Sequence, residues 1–367
     1  MKYERRLPGA AGKQADPTAR PSPAGATKNL THWRTALGRL LASRRIGLAL
    51  TLLGSLGLLA IFADLLAAPA PLVATGGAAG TVLLPAVVHP ERYAGKTDVE
   101  AHALHAGQTA LWPPVRYGPD TPSSAGPLAP SSRAHPLGTD AAGRDLLARS
   151  IYGARTALGV ALGAVLLGML LGVVLGGLAG YSRGFWNDRL ARLVETVDTF
   201  PAIVVVALVR AIEERPSALS LVVAVACVRW AEVARLVRAE VLRASGEDYV
   251  VAARALGARP LRVFWRHMLP NALPPVVVSS VFGVAATVLL ETAVSFLALG
   301  APLEAASWGE TLAQGARTPG HARLIVLPGL LLLATVGGSY LLADAMRDAF
   351  DPRTVRRRAD ELTRTAA

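Results

Sequence analysis

The strongest limit on how this chain can fold is a series of apolar runs almost free of charge, separated by segments that are rich in arginine on alternate sides. The first run, IGLALTLLGSLGLLAIFADLLAA at 46–68, directly follows Arg44 and Arg45. Further runs are read at 156–179, 200–212, 217–236, 272–298 and 323–345. A helix needs about 20 mainly apolar residues to cross a bilayer core. Five runs meet or approach that length, and 200–212 is expected as a tilted or re-entrant segment. The first run exceeds the roughly 7–15-residue core of a cleavable leader, so it is expected to remain as a membrane helix.

Charge placement orients these spans. Only 17% of the 367 residues are charged and 52% are hydrophobic, against about 25% charged in soluble domains; mean hydropathy is +0.39. The net charge of +12 is concentrated in the first 45 residues, in 183–192, in 235–266 and in the tail from Arg347 onward. Such alternate-loop enrichment is the positive-inside pattern. It places both termini and the polar loop 237–271 in the cytoplasm. With no aromatic-interleaved basic surface, nucleic-acid binding is excluded. The single cysteine, Cys227, rules out an intrachain disulfide and a cysteine-cluster metal site.

The resulting organisation is a basic disordered tail at 1–43, a first transmembrane helix within 44–68, and an extracytoplasmic loop with an elbow helix at 69–150. A helical membrane core follows at 151–353, then a cytoplasmic tail at 354–367. The loop 69–134 is rich in proline and glycine and shows no core pattern. Its histidines His89, His102 and His105 have no carboxylate or cysteine partner at metal-ligand spacing.

Three stretches stand out. Asp248–Pro270, DYVVAARALGARPLRVFWRHMLP, reads as helix, turn, helix: acids at Glu247 and Asp248 open it, Gly257 ends the first helix left-handed, Pro260 opens the second and Pro270 disturbs or ends it. His135–Arg149, HPLGTDAAGRDLLAR, has a turn at Gly138 and a helix cap at Thr139 or Asp140, placing Gly143, Arg144, Asp145 and Arg149 at an outer membrane end. As a catalytic His135/Asp145 pair it has no visible nucleophile or oxyanion site. Glu291, inside the apolar LLETAVSFLALG, is an ionisable group at membrane depth and so a functional candidate, with Ser295 one turn on. Glycines four apart in the second span, from Gly159 to Gly180, suit close helix approach. Pro274 and Pro275 are expected to break the fifth span near its start, and Gly337-Gly338 to interrupt the last.

The spacing Ala252-Ala253-x3-Gly257 followed by Leu269-Pro270 resembles the cytoplasmic loop of bacterial ABC importer permeases. HPLGTDxxGRDxxAR, the Glu291 stretch with SFLxLG, and SWGETLAQGA at 307–316 are similar to the second permease subunit of the dipeptide/oligopeptide/nickel branch. Two positions depart from that pattern, Val251 where the family has glutamate and His267 where it has isoleucine. The resemblance covers 135–353 and, loosely, 44–68. It implies an all-α polytopic membrane protein of about six transmembrane helices with the ABC type I importer permease fold, in a bacterial inner membrane. It implies that 237–271 is the coupling loop, with Tyr249, Ala252, Ala253, Leu256, Gly257, Leu269 and Pro270 docking an ATPase, and that Glu291 and Ser295 belong to the translocation path. The outer elbow would comprise His135, Gly138, Thr139, Asp140, Gly143, Arg144 and Asp145. The implied partners are a sister permease, two ABC ATPase subunits and an extracytoplasmic substrate-binding protein, within membrane lipid. ATP and magnesium would sit on the ATPases alone, since the chain has no GxxxxGK[ST] loop. An ion-coupled carrier using Glu291 and a membrane enzyme using His135, Asp140 and Asp145 are the alternatives.

Overall fold

The computed structural model describes residues 44–77, 80–182, 184–214, 217–299 and 306–350. The tails read at 1–43 and 354–367 lie outside the described residues. In chain order the principal elements are α1 (Arg44–Ile61), strands β1 (Val73–Gly77) and β2 (Gly80–Leu83), α2 (Asp98–Ala103) and β3 (Thr109–Leu111). Then come α3 (Leu146–Tyr181), α4 (Phe185–Thr199), α5 (Ala202–Ala211), α6 (Ala218–Ser245) and α7 (Asp248–Ala255). The chain closes with α8 (Pro260–Phe296), α9 (Trp308–Arg317) and α10 (Arg323–Phe350).

Among the described residues, α1, α3, α8 and α10 are long and apolar enough to cross a membrane, and α5 is a shorter apolar helix. Of the expected third and fourth spans, only the fourth needs correction. The short third span expected at 200–212 is α5, and the charged helix α4 precedes it, separated from it at Phe200–Pro201 because Pro201 has no N–H to continue α4. The fourth lies in α6, which runs on past its apolar half through Arg229, Glu232, Arg235 and Arg238 to Ser245.

Successive helices run between two ends, called here the sheet end, beside the 69–145 segment, and the loop end, beside α7. Both α3 and α6 start at the sheet end and pack in parallel. Gly163, Gly168, Gly172, Gly176 and Gly180 of α3 face Val222, Arg229, Val233, Ala234 and Val241 of α6. At Gly176 a Cβ would lie 2.3 Å from the Ala234 carbonyl oxygen. The glycine row is thus the contact face that brings the two backbones together. Apolar cores follow at both ends: Leu56, Ala157, Val288, Trp308 and Leu332 toward the sheet end, and Val237, Val241, Val250, Val263 and Met268 toward the loop end.

The expected break at Pro274-Pro275 is overturned, and Pro270 disturbs its helix without ending it. The helix from Pro260 is continuous to Phe296, passing through Pro270, Pro274 and Pro275. Proline removes one intrahelical bond and clashes with the preceding turn; a wider π turn at Phe264–Met268, with the Leu269 N–H bonded to Phe264 O five residues back, relieves this just before Pro270. Likewise Gly337-Gly338 lie within an uninterrupted α10, where Gly338 lets Leu53 of α1 approach.

The loop 69–134 is also more ordered than expected. Its three short strands form an antiparallel sheet of order β2-β1-β3, with Val73 opposite both Leu83 and Leu111. Strands of three to five residues are too brief to display a readable alternation. Ala67, Val115 and Tyr117 pack with Ala148 and Ile151, joining the segment to the start of α3. The helical class therefore holds for the bundle, while a small sheet caps one end.

Candidate functional site

At the loop end, α7 is held to the bundle by one face. Val250 is buried and Ala253 packs on the same core, while Val251, Ala252 and Leu256 point away. The helix closes as a Schellman motif: Ala258 N–H donates to Ala253 O at 3.1 Å and Gly257 N–H to Arg254 O at 3.0 Å. Gly257 has φ +77°, the left-handed conformation that glycine adopts without strain. Pro260 then begins α8 at its first turn, as read from the sequence.

The outcome is an apolar surface with no partner among the described residues. Leu256 is 88% exposed, Leu261 70%, Trp265 58% and Val251 54%. Arg254, Arg259, Arg262 and Arg266 surround it. Of the residues assigned to docking, Ala252, Leu256 and Gly257 lie on this exposed side. Tyr249 is partly exposed, its hydroxyl accepting from Asn271 Nδ2 at 2.9 Å, which ties α7 to α8. Leu269 is buried and Pro270 half-buried at the root of α8, so they support the loop. Leu261 and Trp265 were missed by sequence reasoning; their outward apolar spacing of four was the available signal.

At the sheet end, the three motif stretches converge. The expected elbow helix is absent: 135–145 is an irregular loop, and the N-cap of α3 is Asp145, not Thr139 or Asp140. Asp145 Oδ1 accepts from Ala148 N at 2.8 Å. A tight turn through Gly143 (φ +78°), in which Asp140 Oδ1 accepts the N–H groups of Ala142 and Arg144 at 2.9 Å, delays helix entry until Asp145. Thr139 instead donates to Gly126 O at 2.7 Å, and Gly138 has φ +75° against Ala129.

Asp140 is fully buried and bonded to Arg144 Nε at 2.9 Å. Arg144 and the buried Arg149 both reach Glu310 of α9, Arg144 at 2.7 Å. Burial works against the Arg144 charge, but Asp140 and Glu310 more than compensate and hold its proton more tightly than usual. Trp308 donates its indole N–H to Ser150 O at 3.0 Å and packs on Gly153, where a Cβ would lie 2.5 Å from the ring. Glu291 is fully buried and accepts from Ser295 Oγ at 2.8 Å and from Ser307 Oγ at 3.0 Å, while Ser307 caps α9. The carboxylate thus binds α8 to α9, an enclosed setting that gives no support to ion carriage.

The structure also supplies a residue that sequence reasoning did not find. His135 Nδ1 lies 2.7 Å from Asp145, and Ser123 Oγ lies 2.7 Å from His135 Nε2. This Ser–His–Asp order has no open face for a substrate. All three residues are buried, the Tyr117 ring lies tilted against His135 with centroids 4.2 Å apart, and Ser123 Oγ already accepts from Ala125 N and contacts Asp98. It braces the sheet-end segment against the α3 cap. Among the described residues no group of histidine, cysteine and carboxylate side chains could hold a metal ion.

Residues 172–356 match the family described as binding-protein-dependent transport system inner membrane component. A probable peptide ABC transporter permease of Sinorhizobium fredii is 43% identical over 223 residues, 60% of this chain and 76% of that protein. A dipeptide transport system permease of Alkalihalophilus pseudofirmus is 33% identical over 239 residues, covering 65% and 77% respectively. A solved methionine ABC transporter chain aligns with a TM-score of 0.46 at 18% identity, over 56% of this chain and 97% of that one.

Proposed function

Because the chain belongs to the family of binding-protein-dependent transport system inner membrane components, we propose that it carries peptides or related small polar solutes, as the names of its relatives state for them. It is the membrane-spanning permease subunit of an ABC importer. In the proposed assembly it pairs with a sister permease, and two separate ATPase subunits hold ATP and magnesium. An extracytoplasmic binding protein delivers the solute. The loop end faces the cytoplasm with both termini, and the sheet end faces outward, in keeping with the arginine distribution.

The observation that carries this reading is the unpartnered apolar face of α7 and the start of α8. A short helix anchored by Val250 on one side and presenting Val251 and Leu256 on the other is suited to seat in a groove of a second protein. Its anchored root transmits force: α7 leads through a glycine turn into one continuous helix from Pro260 to Phe296, so displacement of the loop moves a membrane-length element. Alternating access then follows from ATPase closure pulling on this lever.

The test is co-purification of the chain, expressed with its sister permease, with the ATPase pair. Leu256→Asp places a charge at the centre of the exposed face without touching the core. Wild type retaining the ATPases while Leu256→Asp loses them at equal membrane level supports the reading. ATPase retention by both, or ATP-independent uptake by the chain alone, refutes it.

A further inference from the structure

Beside the break between α4 and α5 lies a cavity of about 280 Å³ lined by Asp198, Phe200, Pro201, Val228, Arg229 and Glu232. Of its polar groups, Arg229 is the most enclosed. At 1.5 Å rise per residue, Arg229 is about 16 Å along α6 from its first residue at the sheet end. Charges at such depth are costly and occur where they pair or line a path for a polar solute.

Arg229 Nη2 is 3.0 Å from Glu232 Oε2, one turn on in the same helix. Arg229 is mostly enclosed and reaches α8, where a Cβ on Gly283 would lie 2.6 Å from Nη2, so the glycine makes the space that the guanidinium occupies. The Glu232 side chain remains 43% exposed, and Asp198 across the cavity is paired with Arg235. The cavity therefore presents the Arg229–Glu232 pair on α6 and, from α4, the Asp198 carboxylate paired with Arg235.

The break itself adds to this polarity. Helices interrupted at membrane depth are tolerated where the freed backbone is covered by protein or lines a cavity. Here the interruption at Phe200–Pro201 borders the cavity, and α5 starts with no side-chain cap on its first N–H groups. An uncapped helix start favours an anion.

We propose that this cavity is a transport subsite for the charged ends of a zwitterionic peptide, with Arg229 and the start of α5 receiving the α-carboxylate and Glu232 the ammonium group. This rests on the peptide-permease reading above. It assigns to Arg229 and Glu232 a function that a simple intrahelical pair lacks.

The test uses the assembled complex of both permeases and the ATPases. Cys227, the one native cysteine, is replaced by serine, and Ala202→Cys supplies a thiol at the cavity wall. Dialanine is titrated against modification of that thiol by a small methanethiosulfonate reagent. Half-protection is expected to need about ten- to hundredfold more dialanine in Arg229→Gln, the worth of a charge-assisted hydrogen bond, and likewise more dialanine amide in the unaltered cavity. Gly283→Ala keeps every charge but displaces the guanidinium, and is expected to shift protection in the same direction. If Arg229→Gln fails to assemble, Gly283→Ala decides alone. Equal protection in all variants, or no protection in a complex that imports dialanine, overturns the subsite. Failure of the unaltered complex with its binding protein to import any peptide under ATP refutes the peptide-permease reading instead.

Discussion

The parallel packing of α3 and α6 can be tested with one methyl group placed at two glycines of the same helix. At Gly176 a Cβ would lie 2.3 Å from the Ala234 carbonyl oxygen and 2.7 Å from its Cα, both backbone atoms that cannot turn aside. Ordinary contact lies near 3.5 Å, so the helices must part by roughly 1 Å, enough to forfeit a quarter to a half of each local dispersion well. Overpacking of this kind costs about 1–3 kcal/mol. The gain from replacing a helical glycine by alanine, about 0.5–1 kcal/mol, offsets part of it. At Gly159 a Cβ meets nothing within 4 Å, so only the gain remains. Gly159→Ala and Gly176→Ala should therefore differ by about 2 kcal/mol, which for a chain of this length corresponds to melting midpoints about 2–3 °C apart. Detergent-solubilised protein heated stepwise and followed by its remaining monodisperse fraction provides the assay. If Gly176→Ala melts at or above Gly159→Ala, the α3–α6 contact face described here is wrong.

Other consequences follow from the two ends of the bundle. Glu310→Gln removes the carboxylate shared by Arg144 and Arg149, and breaking a buried pair costs about 3–5 kcal/mol; the expected result is loss of monodisperse protein, and near-normal yield would show the network to be dispensable. Asp145→Ala removes the α3 cap and the partner of His135, for about 1–2 kcal/mol from the cap alone, whereas Asp145→Asn should recover most of the cap term in the same melting assay. Gly257→Ala meets no atom within 4 Å but must hold φ near +77°, a strain of about 1–2 kcal/mol. Faster amide exchange confined to 248–260 is expected, and unchanged exchange there would argue against the left-handed turn.

The sequence by itself determined the elements that depend on local chemistry and on periodicity. Apolar runs without charge marked α1, α3, α8 and α10, because burying a helix in hydrocarbon requires length and composition that read directly from the chain. Gly257 and Pro260 marked the α7 turn, since few other residues suit those backbone positions. Glu291 stood out as an ionisable group at membrane depth and the His135 stretch by its turn and cap residues, while the family resemblance linked both with the Trp308 stretch. Only the tertiary structure decided that these three meet. Ser307 is 16 residues from Glu291, and Glu310 is 161 from Arg149. Contacts over such separations depend on how helices pack, which no local pattern encodes. The same holds for Ser123 beside His135, for the α4–α5 break beside Arg229, and for the prolines that α8 passes without ending. In each case the local preference was real, and the surrounding packing decided how it was met.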